Sequence, residues 1–217
     1  MSAVTEFFLN LLYPPKCVLC GKLLEKKEQD LCPSCRLALP WAGENFEMSV
    51  RGAGRVVSAL FYEGRVRESF HRYKFAGRSC YASAYGRLLA HTVPNPDCDI
   101  VTWVPLHPKR RRQRGYDQAE LLARAYCKAV NAPEPKQLLV KIKNTAAQSG
   151  TGRAAERAAN IAGAYRAGNP AAISGKRILL IDDVITTGST FSEAARTLCD
   201  AGALSVTGLT LARRREE

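Results

Sequence analysis

Ile178–Thr190 reads ILLIDDVITTGST, and the fold turns on how it is interpreted. Ile178 to Ile181 form an apolar run, short and rich enough in β-branched residues for a buried strand. Two carboxylates, Asp182 and Asp183, follow at once. Thr186, Thr187, Gly188, Ser189 and Thr190 then lead into a helical pattern at Phe191, Ala194, Ala195 and Leu198. The expected order is strand, acidic pair, hydroxyl- and glycine-rich turn, helix N-terminus. Consecutive backbone N–H groups beside a glycine that tolerates positive φ make an anion nest. The helix behind adds free donors and the positive end of its dipole. Such a turn suits a phosphate. The carboxylates cannot face that phosphate directly; they suit ribose hydroxyls or a magnesium hydration shell. A ligand with both a phosphate and a diol would satisfy both halves. The simpler alternative is an ordinary βα turn with Ser or Thr as its N-cap.

This segment resembles the 5-phosphoribosyl-1-pyrophosphate (PRPP) signature of type I phosphoribosyltransferases. The resemblance implies that Asp182 and Asp183 take the ribose hydroxyls. It also implies that Thr186, Thr187, Gly188, Ser189 and Thr190 take the 5′-phosphate, with Mg2+ accompanying PRPP.

Outward from this stretch, Val206–Leu211 reads as a final strand and Gly202 as the C′ cap of the helix before it. Arg213, Arg214 and Arg215 read as a solvated basic end. Upstream, Asp99–Val104 reads as a strand stopped by Pro105. The following stretch, Leu106 to Gln118, reads as a basic loop at a strand end, where open α/β sheets bind ligands. Leu106, His107, Lys109 and Arg110 are its candidates for holding a pyrophosphate, Arg with bidentate contacts. A helix is expected from about Asp117 to Val130, and a short strand over residues 138–142. Lys143 to Ala159 has weak periodicity and reads as a long loop or lid. Its candidate residues are Thr145, Gln148, Arg157 and Asn160. A lid closing over PRPP would exclude water; a plain loop, or a helix from Arg153 to Asn160, is the alternative.

Val56–Tyr62 reads as a strand, Val66–Phe75 as a helix, and Cys80–His91 as a second helix. Arg65, Arg67, Arg72, Lys74 and Arg78 interleave with Tyr62, Phe70, Tyr73 and Phe75. That pattern fits single-stranded nucleic acid and equally an amphipathic helix with a solvated basic face.

Near the start, Cys17-x2-Cys20 and Cys32-x2-Cys35 suggest two knuckles around one tetrahedral four-thiolate site holding a structural Zn2+. Disulfides or redox pairs are the alternative. Cys80, Cys98, Cys127 and Cys199 are scattered and read as small apolar residues. Residues 1–13 suggest a short amphipathic helix ending at Pro14. The expected organisation is a zinc-ribbon module over residues 1–45, joined through a linker around Trp41–Gly54 to an α/β domain over residues 46–217. The chain of 217 residues has room for such a core.

The net charge of +12 favours polyanionic partners such as nucleic acid or phosphorylated metabolites, and otherwise only solubility. No apolar run approaches the ~20 residues of a membrane span. Phe7–Tyr13 lacks the flanks of a signal peptide. A cytoplasmic protein is expected, reaching the inner face of the cell membrane only through partners.

The double CxxC unit, VPLH followed by the Arg-rich RGYDQAELLA, the Thr-x-x-Gln…Arg-x-x-Asn lid and the PRPP loop together resemble the ComF family (ComFC- and GntX-like proteins). Arg114, Gly115, Tyr116 and Gln118 match its RG-aromatic-Asn-Gln motif; Asp117 stands where Asn is usual. The resemblance implies a type I phosphoribosyltransferase fold, a parallel sheet flanked by helices. It implies DNA uptake in natural transformation, with single-stranded DNA and a competence helicase-type protein as partners. The alternative is a phosphoribosyltransferase of nucleotide metabolism, moving phosphoribosyl from PRPP to an acceptor. No segment reads as a nucleobase pocket for that acceptor, and no catalytic residue is assigned.

Overall fold

A computed structural model describes residues 14–42, 54–145 and 161–215. The expected helix over residues 1–13, most of the linker, and Gln148, Arg157 and Asn160 of the lid lie outside them. In chain order the elements are α1 (Pro33–Leu37), β1 (Arg55–Phe61), α2 (Gly64–Phe75), α3 (Tyr81–Thr92), β2 (Ile100–Trp103), α4 (Pro108–Arg114), α5 (Gln118–Ala129), β3 (Leu139–Lys141), β4 (Tyr165–Ala167), α6 (Pro170–Ile173), β5 (Arg177–Ile185), α7 (Ser189–Asp200) and β6 (Ser205–Arg213).

β1, β6, β5 and β2 lie side by side in that order, all parallel. β5 is central, which is why its apolar run is continuous: Leu179 and Ile181 join the core shared with α2, α3 and α5, while Ile178 and Leu180 join the core under α7. β3 and β4 form a separate antiparallel pair. This is an α/β fold with a parallel sheet flanked by helices. The sheet's carboxyl edge gathers the end of β5 with the turn after it, Asp182–Gly188, and Pro105–Arg110 after β2, because Trp103 pairs with Ile181. In an open α/β sheet that edge is the ligand-binding edge.

Several expectations change. The acidic pair belongs to β5 instead of following it: β6 continues its ladder beyond the apolar run, through Asp182↔Thr210 and Ile185↔Arg213. The basic stretch after β2 is largely the helix α4, not a loop. No apolar periodicity announces α4, since it buries no residue. Its caps define it: Pro108 in the first turn, the His107 ring accepting from the Lys109 N–H at 3.2 Å, and Gly115 at φ 87°.

The interleaved aromatics of α2 are mostly core. Phe70 and Tyr73 are fully buried, leaving Phe75 exposed at the helix end. Arg213 is buried and Arg215 reaches Glu63 at 3.0 Å, so the basic end is not simply solvated. Of the scattered cysteines only Cys127 is buried, whereas Cys80 and Cys199 are exposed. No helix among the described residues is long and apolar enough to cross a membrane.

Candidate functional site

Successive strand residues project to opposite faces, so Asp182 and Asp183 part company at the carboxyl end of β5. Asp183 is buried and accepts from Lys74 of α2 at 2.9 Å. The same Oδ1 accepts the Val184 N–H at 2.5 Å, while Oδ2 is buried without a hydrogen-bond partner. Asp182 Oδ1 accepts the Asp183 N–H at 2.7 Å. Burial, and then the charge of Asp183 next door, holds Asp182 well above the usual carboxylate range. A buried carboxylate oxygen with no donor is costly. It fits a site built for a ligand's hydroxyls or a hydrated cation.

Beyond β5 the chain turns through Thr186, Thr187 and Gly188. Gly188 adopts φ 73° and serves as N-cap of α7, a conformation that favours glycine. No side chain caps the first turn of α7. Its leading N–H groups therefore stay available to an anion. Thr187 and Ser189 hydroxyls lie 3.1 Å apart, facing the same turn, and Thr186 and Thr187 are exposed.

Two groups the sequence did not point to join the pair. Lys141 of β3 is buried, and its ammonium sits 5.1 Å from the centre of the Tyr165 ring of β4. Burial lowers its pKa, with Asp182 pulling the other way. Tyr165 Oη is buried with no partner. A lysine inside the short apolar strand expected over residues 138–142 was the visible signal. Lys74 was visible only as one of many basic residues.

The stretch after β2 is held differently from a free anion loop. The Leu106 N–H donates to Asp117 Oδ2 at 2.7 Å, and Arg110 donates to the Thr145 carbonyl at 2.6 Å. Asp117 is the N-cap of α5, its Oδ1 accepting from Ala119 at 3.1 Å and Glu120 at 3.3 Å. A carboxylate accepts all three N–H groups; an amide at the same place would turn one donor toward another. Asp117→Ala is expected to cost about 2 kcal/mol, from the lost cap and the stranded Leu106 N–H. Urea denaturation reads this, and an unchanged midpoint would mean that water replaces the carboxylate.

The rest of the motif secures the end of α2. Tyr116 Oη donates to the Tyr73 carbonyl, and Tyr73 Oη donates to the Gln118 carbonyl at 2.8 Å. Arg114 pairs with Gln118 Oε1 and lies over Phe75. These contacts fix the turn that carries Lys74 toward Asp183.

A cavity of about 880 Å³ opens at the opposite, amino edge of the sheet, beside Arg55, Val57, Leu179 and Thr207. It holds neither the acidic pair nor the phosphate turn, so its size alone does not make it this site.

Near the start of the described residues, Cys17, Cys20, Cys32 and Cys35 bring their sulfurs within 4.8 Å of one another, none of them in a disulfide. Four thiolates around zinc at ~2.3 Å sit about 3.8 Å apart in a tetrahedron, and Cys20 and Cys32 are 3.7 Å apart. The donor set therefore fits zinc, and disulfides are not formed. Gly21 at φ 77° closes the first knuckle, its N–H donating to the Cys17 carbonyl at 2.8 Å. Arg65 donates to Cys35 Sγ at 3.2 Å, opposing the negative charge of a thiolate cluster. Arg72 donates to the Leu19 carbonyl at 2.6 Å, and Ser69 Oγ to that of Val18, docking the knuckle on α2.

Known families match two separate stretches of the chain. The double zinc ribbon domain matches residues 8–46 and the phosphoribosyl transferase domain matches residues 119–217. A Salmonella typhi protein named DNA utilization protein YhgH is 30% identical over 204 residues, 88% of this chain and 86% of the relative. Competence protein ComFC of Bacillus subtilis is 28% identical, over 97% of this chain and 90% of the relative. Competence protein F of Haemophilus influenzae is 29% identical, over 72% and 68%.

Proposed function

Because the chain belongs to the ComF family, a double zinc ribbon combined with a phosphoribosyl transferase domain, we propose that it binds PRPP with Mg2+ and acts in DNA uptake, handling single-stranded DNA. The observation that carries the PRPP site is the buried, donorless Asp183 Oδ2 beside an uncapped helix N-terminus. Asp182 and Asp183 would accept from the ribose hydroxyls or from magnesium-bound water. The N–H groups and hydroxyls of Thr186–Thr190 would hold the 5′-phosphate. Lys74, freed from Asp183 by the incoming hydroxyls or cation, would be left beside the anionic ligand. Lys109 and Arg110 supply cations for the pyrophosphate, and Thr145, Gln148, Arg157 and Asn160 the covering segment. The names of the relatives support a role with DNA, and the net charge of +12 supports a polyanionic partner. A helicase-type competence protein is the partner proposed for that role, at the cytoplasmic face of the membrane.

Transfer of phosphoribosyl from PRPP to an acceptor, as in a phosphoribosyltransferase of nucleotide metabolism, is the second reading, favoured by the complete acidic pair. In it, charge stabilisation of the departing pyrophosphate by Lys74, Lys109 and Arg110 would be the main catalytic contribution. One experiment separates the two. The protein is titrated with PRPP by calorimetry, with and without magnesium, beside an Asp182→Asn/Asp183→Asn variant, while pyrophosphate is assayed. The variant is expected to lose about 30-fold in affinity, the worth of roughly one or two charge-assisted hydrogen bonds. Saturable binding without pyrophosphate marks a binding protein; pyrophosphate release with an added acceptor marks an enzyme. Absence of binding by the zinc-loaded protein would overturn the PRPP site.

A further inference from the structure

Phe75 is 66% exposed, although it ends a helix whose other large aromatics, Phe70 and Tyr73, are fully buried. No core packing accounts for its position. Its ring is nonetheless held. The Arg114 guanidinium carbon lies 5.1 Å from the ring centre, and the His71 ring lies 5.0 Å away at 46°. Arg114 is itself fixed by Gln118, and α2 is fixed by the Tyr116 contact with the Tyr73 carbonyl. The result is a pre-ordered aromatic surface with a cation on it.

The ring has cations beside it in space and in the chain. Arg114 lies over it, and Arg78 follows three residues on in the loop, exposed and with no carboxylate partner among the described residues. The preceding residue, Lys74, reaches Asp183. An exposed ring beside cations and next to a ribose-phosphate site matches the chemistry of an unpaired nucleotide: a flat base to stack and a phosphate to neutralise.

We infer that Phe75, with His71 and Arg114, is a stacking platform for one base of single-stranded DNA at the mouth of the PRPP site. This rests on the single-stranded DNA role proposed above and adds a location to it. A phosphate beside the stacked base would meet Arg114 and Arg78. Of the rest of the aromatic–basic stretch, Phe70 and Tyr73 are in the core, and Arg65 and Arg72 are engaged with Cys35 and the first knuckle.

The test uses the full zinc-loaded chain, fluorescein-labelled oligo-dT and a matching strand of abasic nucleotides. Phe75→Ala is expected to weaken oligo-dT about tenfold, since one base–aromatic stack is worth roughly that or more. The salt slope should be unchanged, because no phosphate contact is removed. On the abasic strand wild type and variant should bind equally. In a Phe75→Trp variant, oligo-dT should quench indole emission and the abasic strand should not. A chain unfolded by the change would fail on both strands, and a thermal melt of each variant identifies that case. If Phe75→Ala binds oligo-dT as wild type does, the platform is wrong while the DNA role stands. If the wild-type chain binds no oligo-dT at any salt, both fall.

Discussion

Removing the metal from Cys17, Cys20, Cys32 and Cys35 is expected to unfold the ribbon around them. Residues 14–42 contain one short helix and two isolated bridges, Lys16↔Leu23 and Trp41↔Leu60. Their buried side chains are few: Val18, Leu19, Leu31, Leu39 and Ala42 besides the cysteines. That core cannot offset the cost of ordering the backbone, roughly 1–2 kcal/mol per residue. A structural zinc contributes about 10–16 kcal/mol in comparable small units, the largest single stabilisation available here. Hydrogen exchange reads the outcome at named sites. The N–H of Cys17 donates to Lys22, that of Val18 to Asp30, and that of Leu24 to Pro15. Chelation, or Cys35→Ser, should erase protection at these amides, and restored zinc should return it only to the wild type. Protection that survives complete metal removal would show that the cluster is not a structural metal site. The contacts from Arg72 and Ser69 to the first knuckle predict a smaller effect on α2, which keeps its own anchors at Phe70 and Tyr73.

Gly86→Ala should destabilise the sheet domain by about 3 kcal/mol. Gly86 lies in α3 where it crosses α5, and a Cβ there would stand 2.5 Å from the Ala125 carbonyl carbon and 2.6 Å from its Cβ. In an exposed helix the same change gains about 1 kcal/mol of helix propensity. Here the obstacle is mainly backbone, which cannot rotate aside as a long side chain can, and overpacking a core costs about 1–3 kcal/mol or more. The helices must separate, loosening the neighbouring core residues Leu89, Leu122 and Tyr126, all fully buried. The urea midpoint should fall accordingly, and Ala125→Gly in the same chain should recover only part of the loss, because the Ala125 carbonyl group remains in the way. A midpoint at or above the wild-type value would mean that α3 and α5 do not approach this closely.

Much of the molecule was legible in local chemistry. The apolar run of β5, the glycine turn and the helix behind it follow from hydrophobic patterning and from what glycine permits, and both act over a few residues. The two CxxC pairs prescribe a four-thiolate cluster by residue type and spacing alone. In two places where local pattern misled, a distant part of the chain was responsible. Asp182 and Asp183 look like a strand's end until β6 supplies the partners that extend the ladder. Arg65 and Arg72 look like a nucleic-acid stripe until the two Cys knuckles claim them, Arg65 at Cys35 and Arg72 at Leu19.

The sequence by itself therefore determined the apolar core of β5, the glycine turn after it and the four-cysteine set, because each rests on residue types and patterns within a short stretch of chain. Only the tertiary structure decided that Lys74 belongs with Asp183, that Lys141 and Tyr165 stand near Asp182, and which aromatic of α2 remains in solvent. Those pairings join residues far apart in the chain. They depend on how helices seat against the sheet, and no periodicity in the sequence encodes that seating.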